Sequence, residues 1–369
     1  MSFLKLLSNL PGWRTRRKIV VIESDDWGSI RMPSLKAYNR LRDAGVSVDK
    51  GDNQRFNTLD TLANKDDLEA LYDTLSSFKD KNSNPAVVTP MALSANPDFN
   101  KIEKDNFSNY HYQSFFETLK DYQQENTIAL WKQGYKNQIF VPEFHGREHL
   151  NVRLWMKALQ EKDKDTLAAF QNRCWGFKPK NHTGMSFQAA FYIQEMQKDI
   201  ASQKQIIEDG VKLFERLHDR KPKFFVPPNA SIHQDSINEA VNNGMKYVSS
   251  PKIHTEPLGR GKSTKHFRYI GKKGKNGLIY ITRNCFFEPS YQGKGHSLED
   301  CLSHVDTAFK FRKPAVISSH RVNYVGGLND KNRIAGNKAL KELLKQMLSH
   351  WPDVEFMTSV ELGDIIRND

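Results

Sequence analysis

The chain has 369 residues, enough for one large α/β barrel or two smaller domains, and we expect a single domain over residues 1–369. Its formal net charge of +12 favours anionic partners, but the basic residues are scattered and no nucleic-acid-binding module is recognisable, so we expect no nucleic-acid partner. The three cysteines lie far apart without a CxxC pair, which argues against a disulfide framework or a thiolate zinc site.

The amino-terminal residues lack the apolar stretch of a signal peptide, and no run approaches the ~20 apolar residues of a membrane-spanning helix. We therefore expect a cytoplasmic protein. Within residues 1–17, the apolar side chains up to Leu10 are spaced to line one face of a short helix, and Trp13 and a cluster of basic residues follow them. This combination suits peripheral contact with anionic lipid at the inner membrane surface. The same apolar side chains would also suit packing against the bottom of a barrel, and both interpretations stay open.

Short apolar runs alternate with helical stretches along the chain. The runs that predict strands are residues 18–22, 86–91, 138–141, 223–226, 247–249, 278–282, 315–318 and 354–357. Apolar positions at helical spacing predict helices over residues 35–44, 66–78, 112–133, 186–218, 231–242, 298–311 and 337–350. The basic, glycine-rich residues 259–277 predict a hairpin or loop. Alternating strands and helices predict βαβ units and a parallel sheet, either open or closed into a barrel.

Polar clusters follow several predicted strands, at the end where parallel α/β folds place their active sites. Asp25 and Asp26 end the first strand, and such neighbouring acids repel one another unless a cation or a proton intervenes. A solvated turn or a helix cap would use the same residue types. His145 and His149 follow the third strand at the same sheet edge. On a helical turn, residues four apart share one face, so both imidazoles could reach one divalent ion.

Two histidines and one carboxylate, with an open position for water, are ligands typical of catalytic zinc or iron. Neither the aspartate pair nor the histidine pair alone is a specific sign of a metal site. Their shared position at one sheet edge is a much more specific one. The sequence therefore predicts a metal site at the carboxyl ends of these strands.

Four short motifs resemble those of the polysaccharide deacetylases of carbohydrate esterase family four. Residues 23–29 (ESDDWGS) resemble the TFDDG motif of that family, and residues 145–149 (HGREH) match its H-[ST]-x-x-H at both histidines. Residues 225–230 (FVPPNA) resemble FRPPYG, and residues 317–320 (ISSH) resemble the late LxxH motif. The four occur in the order of the family and span most of the chain.

The resemblance implies an α/β fold, a distorted (β/α) barrel, here with extra helices inserted. It implies metal ligation by Asp26, His145 and His149, with Asp25 as general base and His320 as general acid. The cofactor would be one divalent ion, zinc, with cobalt or nickel also suited to such ligands. The implied reaction is removal of acetyl groups from an acetylated sugar or glycan by metal-activated water.

The chain also departs from the pattern of the family. The arginine of FRPPYG falls at Val226, and we expect Arg283 to replace it beside the catalytic aspartate. Trp27 stands where the family has a glycine, and the segment over residues 29–137 is enlarged. Glu288 is a candidate to polarise His320. These departures predict a divergent member whose substrate cannot be carried over.

Two other functions fit parts of the sequence. The motif HGREH also matches the HxxEH of inverted zinc proteases, in which Glu148 would be the general base within a helix. A barrel that kept the metal but lost catalysis would serve as a glycan-binding protein, and the change at Val226 motivates this alternative. Four aromatic side chains could stack on sugar rings or pack in the core, namely Trp27, Trp155, Trp175 and Tyr291.

Overall fold

The structure, a computed structural model, describes residues 10–50, 52–179 and 186–369. Its strands are β1 (Lys18–Trp27), β2 (Val88–Leu93), β3 (Ala95–Pro97), β4 (Tyr112–Ser114), β5 (Glu143–Gly146), β6 (Phe224–Phe225), β7 (Tyr247–Ser249), β8 (Ile253–Gly259), β9 (Lys262–Phe267), β10 (Lys272–Lys273), β11 (Ile279–Ile281), β12 (Cys285–Phe286), β13 (Ala315–His320) and β14 (Val354–Met357).

The helices that connect these strands vary from six to 23 residues. They are α1 (Leu35–Asp43), α2 (Asp52–Leu59), α3 (Lys65–Ser76), α4 (Phe99–Lys104), α5 (Phe115–Asp121), α6 (Thr127–Lys136), α7 (Val152–Gln160), α8 (Lys164–Gln171), α9 (Met196–His218), α10 (Gln234–Asn242), α11 (Leu298–Lys310), α12 (Asp330–His350) and α13 (Ser359–Asn368).

One large sheet organises the molecule. Nine strands follow the order β10-β11-β7-β6-β5-β2-β1-β13-β12, and β14 pairs with β1 as a tenth. Every pair except β10–β11 is parallel. Strand β14 pairs with the first part of β1 and β2 with the last, while β13 pairs along most of its length. The sheet curls into a half-barrel, which confirms the expected α/β class and distorted barrel.

Strand β1 is the central element of this sheet. Its first residues are β-branched and buried, so they pack well on a pleated surface that is covered on both faces. The strand extends five residues beyond the predicted segment, through the polar residues that follow it to Trp27. The carboxyl end of β1 therefore lies beside those of β13 and β2, where the predicted site residues are concentrated.

Several predicted elements differ from the structure in their bounds. The helix expected over residues 186–218 begins only at Met196. The third strand, expected over residues 138–141, begins only at Glu143, beyond Pro142, and runs to Gly146. Residues 112–133 form the short strand β4 and the two helices α5 and α6 rather than one helix. The boundary between β4 and α5 has a local cause. The side chain of Ser114 accepts from the backbone of Glu117, and the side chain of Glu117 accepts from the backbone of Ser114, which starts a new helix there.

The amino-terminal segment is only partly described. Of the proposed membrane anchor, residues 1–9 lie outside the described residues. Trp13 packs against Gly271 and the core beneath the sheet, and its indole nitrogen donates to Asp369 (2.7 Å). Arg17 and Lys18 are paired with Glu355 and Asp353. None of the helices in the described ranges is long and apolar enough to cross a membrane. The three cysteines are buried free thiols.

Candidate metal centre and acid–base groups

A cavity of about 740 Å³ opens at the carboxyl ends of the parallel strands. All five predicted site residues line it, although they come from three strands and a loop far apart in the chain. The strand order explains this convergence, because β1 lies between β2 and β13 and β5 follows β2. The residues brought together are Asp25, Asp26, His145, His149 and His320.

Asp26, His145 and His149 form a compact buried cluster. The Nε2 atoms of His145 and His149 lie 3.3 and 3.4 Å from the same oxygen, Oδ1 of Asp26. One potential ligand atom from each residue lies within 4.8 Å of the others. The Nδ1 atom of His145 donates to the carbonyl of Val226 (2.7 Å), so Nε2 is the nitrogen that faces the cluster.

These separations fit one tetrahedral ion. Metal–ligand bonds of about 2.0–2.1 Å at tetrahedral angles place neighbouring ligand atoms about 3.3–3.4 Å apart. The two nitrogen–oxygen separations in the cluster have this length. Two imidazole nitrogens and one carboxylate are also a donor set for a catalytic site with an open position. The residues present therefore fit a divalent ion such as zinc.

Proton affinities in the cluster also favour metal binding. Burial lowers the pKa of His149 to about 4, despite the opposing charge of Asp26, so the imidazole is neutral at pH 7. Burial alone would raise the pKa of Asp26. The hydrogen bond with His145 and the positive charges that His149, His320 and His145 carry when protonated outweigh it and hold that pKa well below the ordinary value. A neutral imidazole and an ionised carboxylate are the forms that bind metal.

Two residues with positive φ, rather than a helical turn, orient these candidate ligands. Asp26 has φ = 73°, a left-handed value that is costly for a residue with a side chain. Gly146 has φ = 122°, which a side chain would strain, and it turns the chain between the two histidines. His145 lies in strand β5 and His149 in the loop that follows, so the two histidines do not share a helical turn.

Asp25 has a different partner from its neighbour. Both of its oxygens accept hydrogen bonds from Arg283, at 2.6 Å each, in a bidentate ion pair. The Nε atom of Arg283 donates to Glu23 (2.6 Å), and Glu23 also accepts from Ser359 (2.8 Å). Burial would raise the pKa of Asp25, but the charge and hydrogen bonds of Arg283 lower it. The contact expected between Arg283 and Asp25 is therefore present.

His320 faces Asp25 across the cavity. Its Nε2 lies 3.9 Å from Oδ2 of Asp25, while Nδ1 is hydrogen-bonded to Glu288 at 2.5 Å. Burial would lower the pKa of His320, but the charge and hydrogen bond of Glu288 outweigh it and raise that pKa to about 9. Asn323 donates to the second oxygen of Glu288 (2.8 Å). The contact suggested between Glu288 and His320 is thus present.

Glu148, the base of the protease alternative, is engaged elsewhere. Its carboxylate accepts two hydrogen bonds from Arg147, at 2.7 and 2.8 Å, and both side chains are buried. Glu148 is not among the described residues that line the cavity. This geometry and the absence of a helix at His145 leave the HxxEH interpretation without its base in position.

The four aromatic candidates for sugar stacking differ in their burial, and none of them is among the described residues that line the cavity. Trp27, Trp155 and Trp175 are buried, and Trp27 packs edge-on against Phe140 in the core. Tyr291 is 39% exposed but is not among the described residues that line the cavity. The aromatic side chains found on the cavity wall are instead Phe56 and Phe286. The helix that carries Phe56 lacks a clear apolar stripe, so no pattern in the sequence pointed to this residue.

Comparisons with known proteins find matches among solved structures only, since no family model and no curated protein matches the chain. A structure described as a polysaccharide deacetylase from Mycobacterium smegmatis is 11% identical, with a TM-score of 0.46 over 97% of this chain and 93% of that one. A PuuE allantoinase is 10% identical, with a TM-score of 0.46 over 95% and 91%. A cobalt complex of a family 4 acetyl xylan esterase from Clostridium thermocellum is 11% identical, with a TM-score of 0.38 over 94% and 91%. The matched structures thus include the family that the motifs resemble.

Proposed function

We propose that this chain is a metal-dependent deacetylase that removes acetyl groups from an acetylated sugar or glycan. One observation carries the proposal. A three-ligand cluster, a clamped ionised carboxylate and a protonated imidazole share one cavity, and Asp25 and His320 approach to 3.9 Å beside the cluster. Hydrolysis of an acetyl amide or ester needs these three functions in one place: an electrophilic centre, a base and an acid.

Asp26, His145 and His149 would hold the divalent ion, with zinc the best fit and cobalt or nickel acceptable to the same ligands. Such an ion, when bound, supplies Lewis acidity that acidifies a water molecule and polarises an acetyl carbonyl.

Asp25 is suited to take up the proton of the attacking water. Its lowered pKa keeps the carboxylate ionised at neutral pH, so it is ready to accept. Arg283 occupies one lone-pair direction on each oxygen and fixes the plane of the carboxylate, and each oxygen retains another lone pair toward the cavity. Glu23 holds Arg283 from behind, so the orientation of Asp25 depends on a buried three-residue network.

His320 is suited to protonate the departing oxygen or nitrogen. With a pKa of about 9, its imidazole carries a proton on both nitrogens at neutral pH. Glu288 binds the Nδ1 side, which leaves Nε2 to donate into the cavity. One proton thus passes from water to Asp25 and another from His320 to the leaving group, so that the net change is hydrolysis.

The cavity suits a small saccharide. Its volume lies within the roughly 300–1,000 Å³ of ligand pockets, and its wall combines hydroxyl and amide side chains with two aromatic rings. The polar side chains include Asn53, Gln188, Asn229, Ser249, Ser250 and Asn284. A cytoplasmic location and peripheral contact with an anionic membrane remain predictions from the sequence.

The proposal is tested by acetate release. Purified full-length protein, loaded with zinc, cobalt or nickel, is incubated with matched N-acetylated and O-acetylated mono- and oligosaccharides, and with a casein digest as the control for proteolysis. We expect metal-dependent acetate release from at least one saccharide and no new peptide amines. Saccharide binding without acetate release would identify a non-catalytic binding protein, and peptide cleavage would identify a protease.

A further inference from the structure

Helix α2, part of the enlarged segment, lies against the general-acid side of the site. Phe56 lines the cavity, and its ring meets the imidazole of His320 edge-on with ring centroids 5.6 Å apart. Asn53, one turn earlier, lines the same cavity. Residues three apart share a face of a helix, so α2 presents one continuous face to the site.

Arg55, on the same helix, contacts the partner of His320. Its Nη1 atom donates to Oε2 of Glu288 and to Oγ of Ser290, at 2.9 Å each. The opposite oxygen of Glu288, Oε1, is the one bound to His320. Arg55 and Glu288 are both largely buried, so little water screens their ion pair. One carboxylate therefore lies between a guanidinium and an imidazolium.

The helix is fastened to the strand that carries His320. Asp60, directly after α2, forms a bidentate, fully buried ion pair with Arg321, at 2.9 Å for each bond. Arg321 is the residue that follows His320. The guanidinium groups of Arg31 and Arg55 also lie over the ring of Phe56, at 4.4 and 4.5 Å from its centroid. These contacts keep Arg55 and Phe56 in place beside the acid.

We propose that α2 is a functional part of the site and that Arg55 is a positioning residue, which acts on His320 through Glu288. In this arrangement Arg55 holds the carboxylate in line with the imidazole and also opposes its attraction for the imidazole proton. The inference rests on the proposed function only in naming His320 as the acid, because the contacts themselves stand without it.

The charges that face His320 set the direction of the expected effect. Glu288, Asp25 and Asp26 favour its protonated form, and Arg283 neutralises part of the charge of Asp25. Arg55 is a cation on the far side of Glu288, so it disfavours the protonated imidazole. Removing Arg55 should therefore raise the pKa of His320, provided that Asn323 still holds Glu288.

The test is an NMR titration of His320 in the full-length chain with zinc in the buffer, assigned with a His320→Gln variant. We expect Arg55→Met to raise the pKa of His320 by about 0.5 or more, and Arg55→Lys to leave it near the wild-type value. Arg42→Met is the matched control, since Arg42 is an exposed arginine of the same segment that pairs with Asp43. That variant should not change the titration.

A pKa in Arg55→Met equal to or below that of the wild type would overturn the inference, as would the same rise in Arg42→Met. If Arg55→Met does not fold, an unchanged pKa in Arg55→Gln would overturn it. The titration needs no substrate, so its result is independent of the acetate assay. If the wild-type chain releases no acetate but Arg55→Met shows the expected rise in the pKa of His320, the proposed function is refuted and this inference stands.

Discussion

Asp25 and Asp26 are neighbours of the same residue type and the same burial, each 6% exposed, yet they lie in different electrostatic surroundings. Asp25 is clamped by Arg283, a permanent cation that belongs to the protein. Asp26 faces the two imidazoles of His145 and His149, of which His149 is neutral at pH 7 because burial lowers its pKa.

The difference suits the two carboxylates to the separate tasks that the proposed function gives them. A carboxylate already bound on both oxygens by a guanidinium gains little from a metal ion, but it is held in one orientation for proton transfer. A carboxylate that meets imidazole nitrogens, with no guanidinium bound to it, is completed by an added cation. A regular strand would point adjacent side chains to opposite faces, and the left-handed backbone at Asp26 departs from that geometry, so that both carboxylates line one cavity. Substitutions can disrupt the surroundings of either aspartate separately.

The largest effect is expected on the Asp26 side. His145→Ala and His149→Ala each remove one of three ligands, so bound zinc should fall to background and acetate release should fall about 10³-fold or more. Elemental analysis of dialysed protein measures the first and an acetate assay the second. Zinc content equal to that of the wild type in both variants would exclude this cluster as the metal site.

The substitution Asp25→Asn removes the proposed base but none of the three candidate metal ligands. We expect about 10²–10⁴-fold slower acetate release with zinc content unchanged. Glu148→Gln is the control, because Glu148 is bound by Arg147 and should affect the rate only slightly. The reverse result, with Asp25→Asn active and Glu148→Gln inactive, would contradict the assignment of the base.

The clamp itself should matter for stability as well as for rate. Arg283→Met leaves Glu23 and Asp25 buried without their cation, and we expect a loss of about 3–5 kcal/mol in the free energy of unfolding. Arg283→Lys keeps the charge without the bidentate fork and should lose less. Urea denaturation measures both. An unchanged stability in Arg283→Met would show that the clamp is not required for the fold.

The smallest expected effect is a shift in the pH dependence of the rate. Since the pKa of His320 is raised to about 9, its contribution to stability is complete below about 6.5 and is lost as the pH rises through 9. The rate of the wild type should decline over the same alkaline range. Glu288→Gln should lower that pKa and shift the decline toward neutral pH. A pH–rate profile identical to that of the wild type would show that Glu288 does not act on the acid.

Most strands of this fold can be predicted from the sequence, and the errors in the predicted strands have physical causes. Apolar runs located β7 and β14 to the residue, because those strands are buried and short. They missed the second half of β1, where Glu23 is kept in the sheet by Arg283 and Ser359. They also misplaced β5, whose Glu143 is buried against Arg220 and the backbone of β6. Sequence periodicity does not register polar residues that are buried in pairs.

The candidate site shows the same limit. The five residues found from the motifs do share one cavity, and the substitute arginine was found as the cation at a strand end. Arg55 and Phe56 were missed because α2 is polar and short and carries no apolar stripe. Their place beside His320 depends on the long-range pair between Asp60 and Arg321, which no local pattern reveals.

The central claim is that adjacent aspartates do different work, and one paired measurement addresses it. Zinc content and acetate release are determined side by side for Asp25→Asn and Asp26→Asn, with folding verified by circular dichroism. We predict that Asp26→Asn loses both zinc and acetate release, whereas Asp25→Asn loses acetate release and keeps zinc. Equal loss of zinc in the two variants, or retention of zinc in Asp26→Asn, would contradict the account.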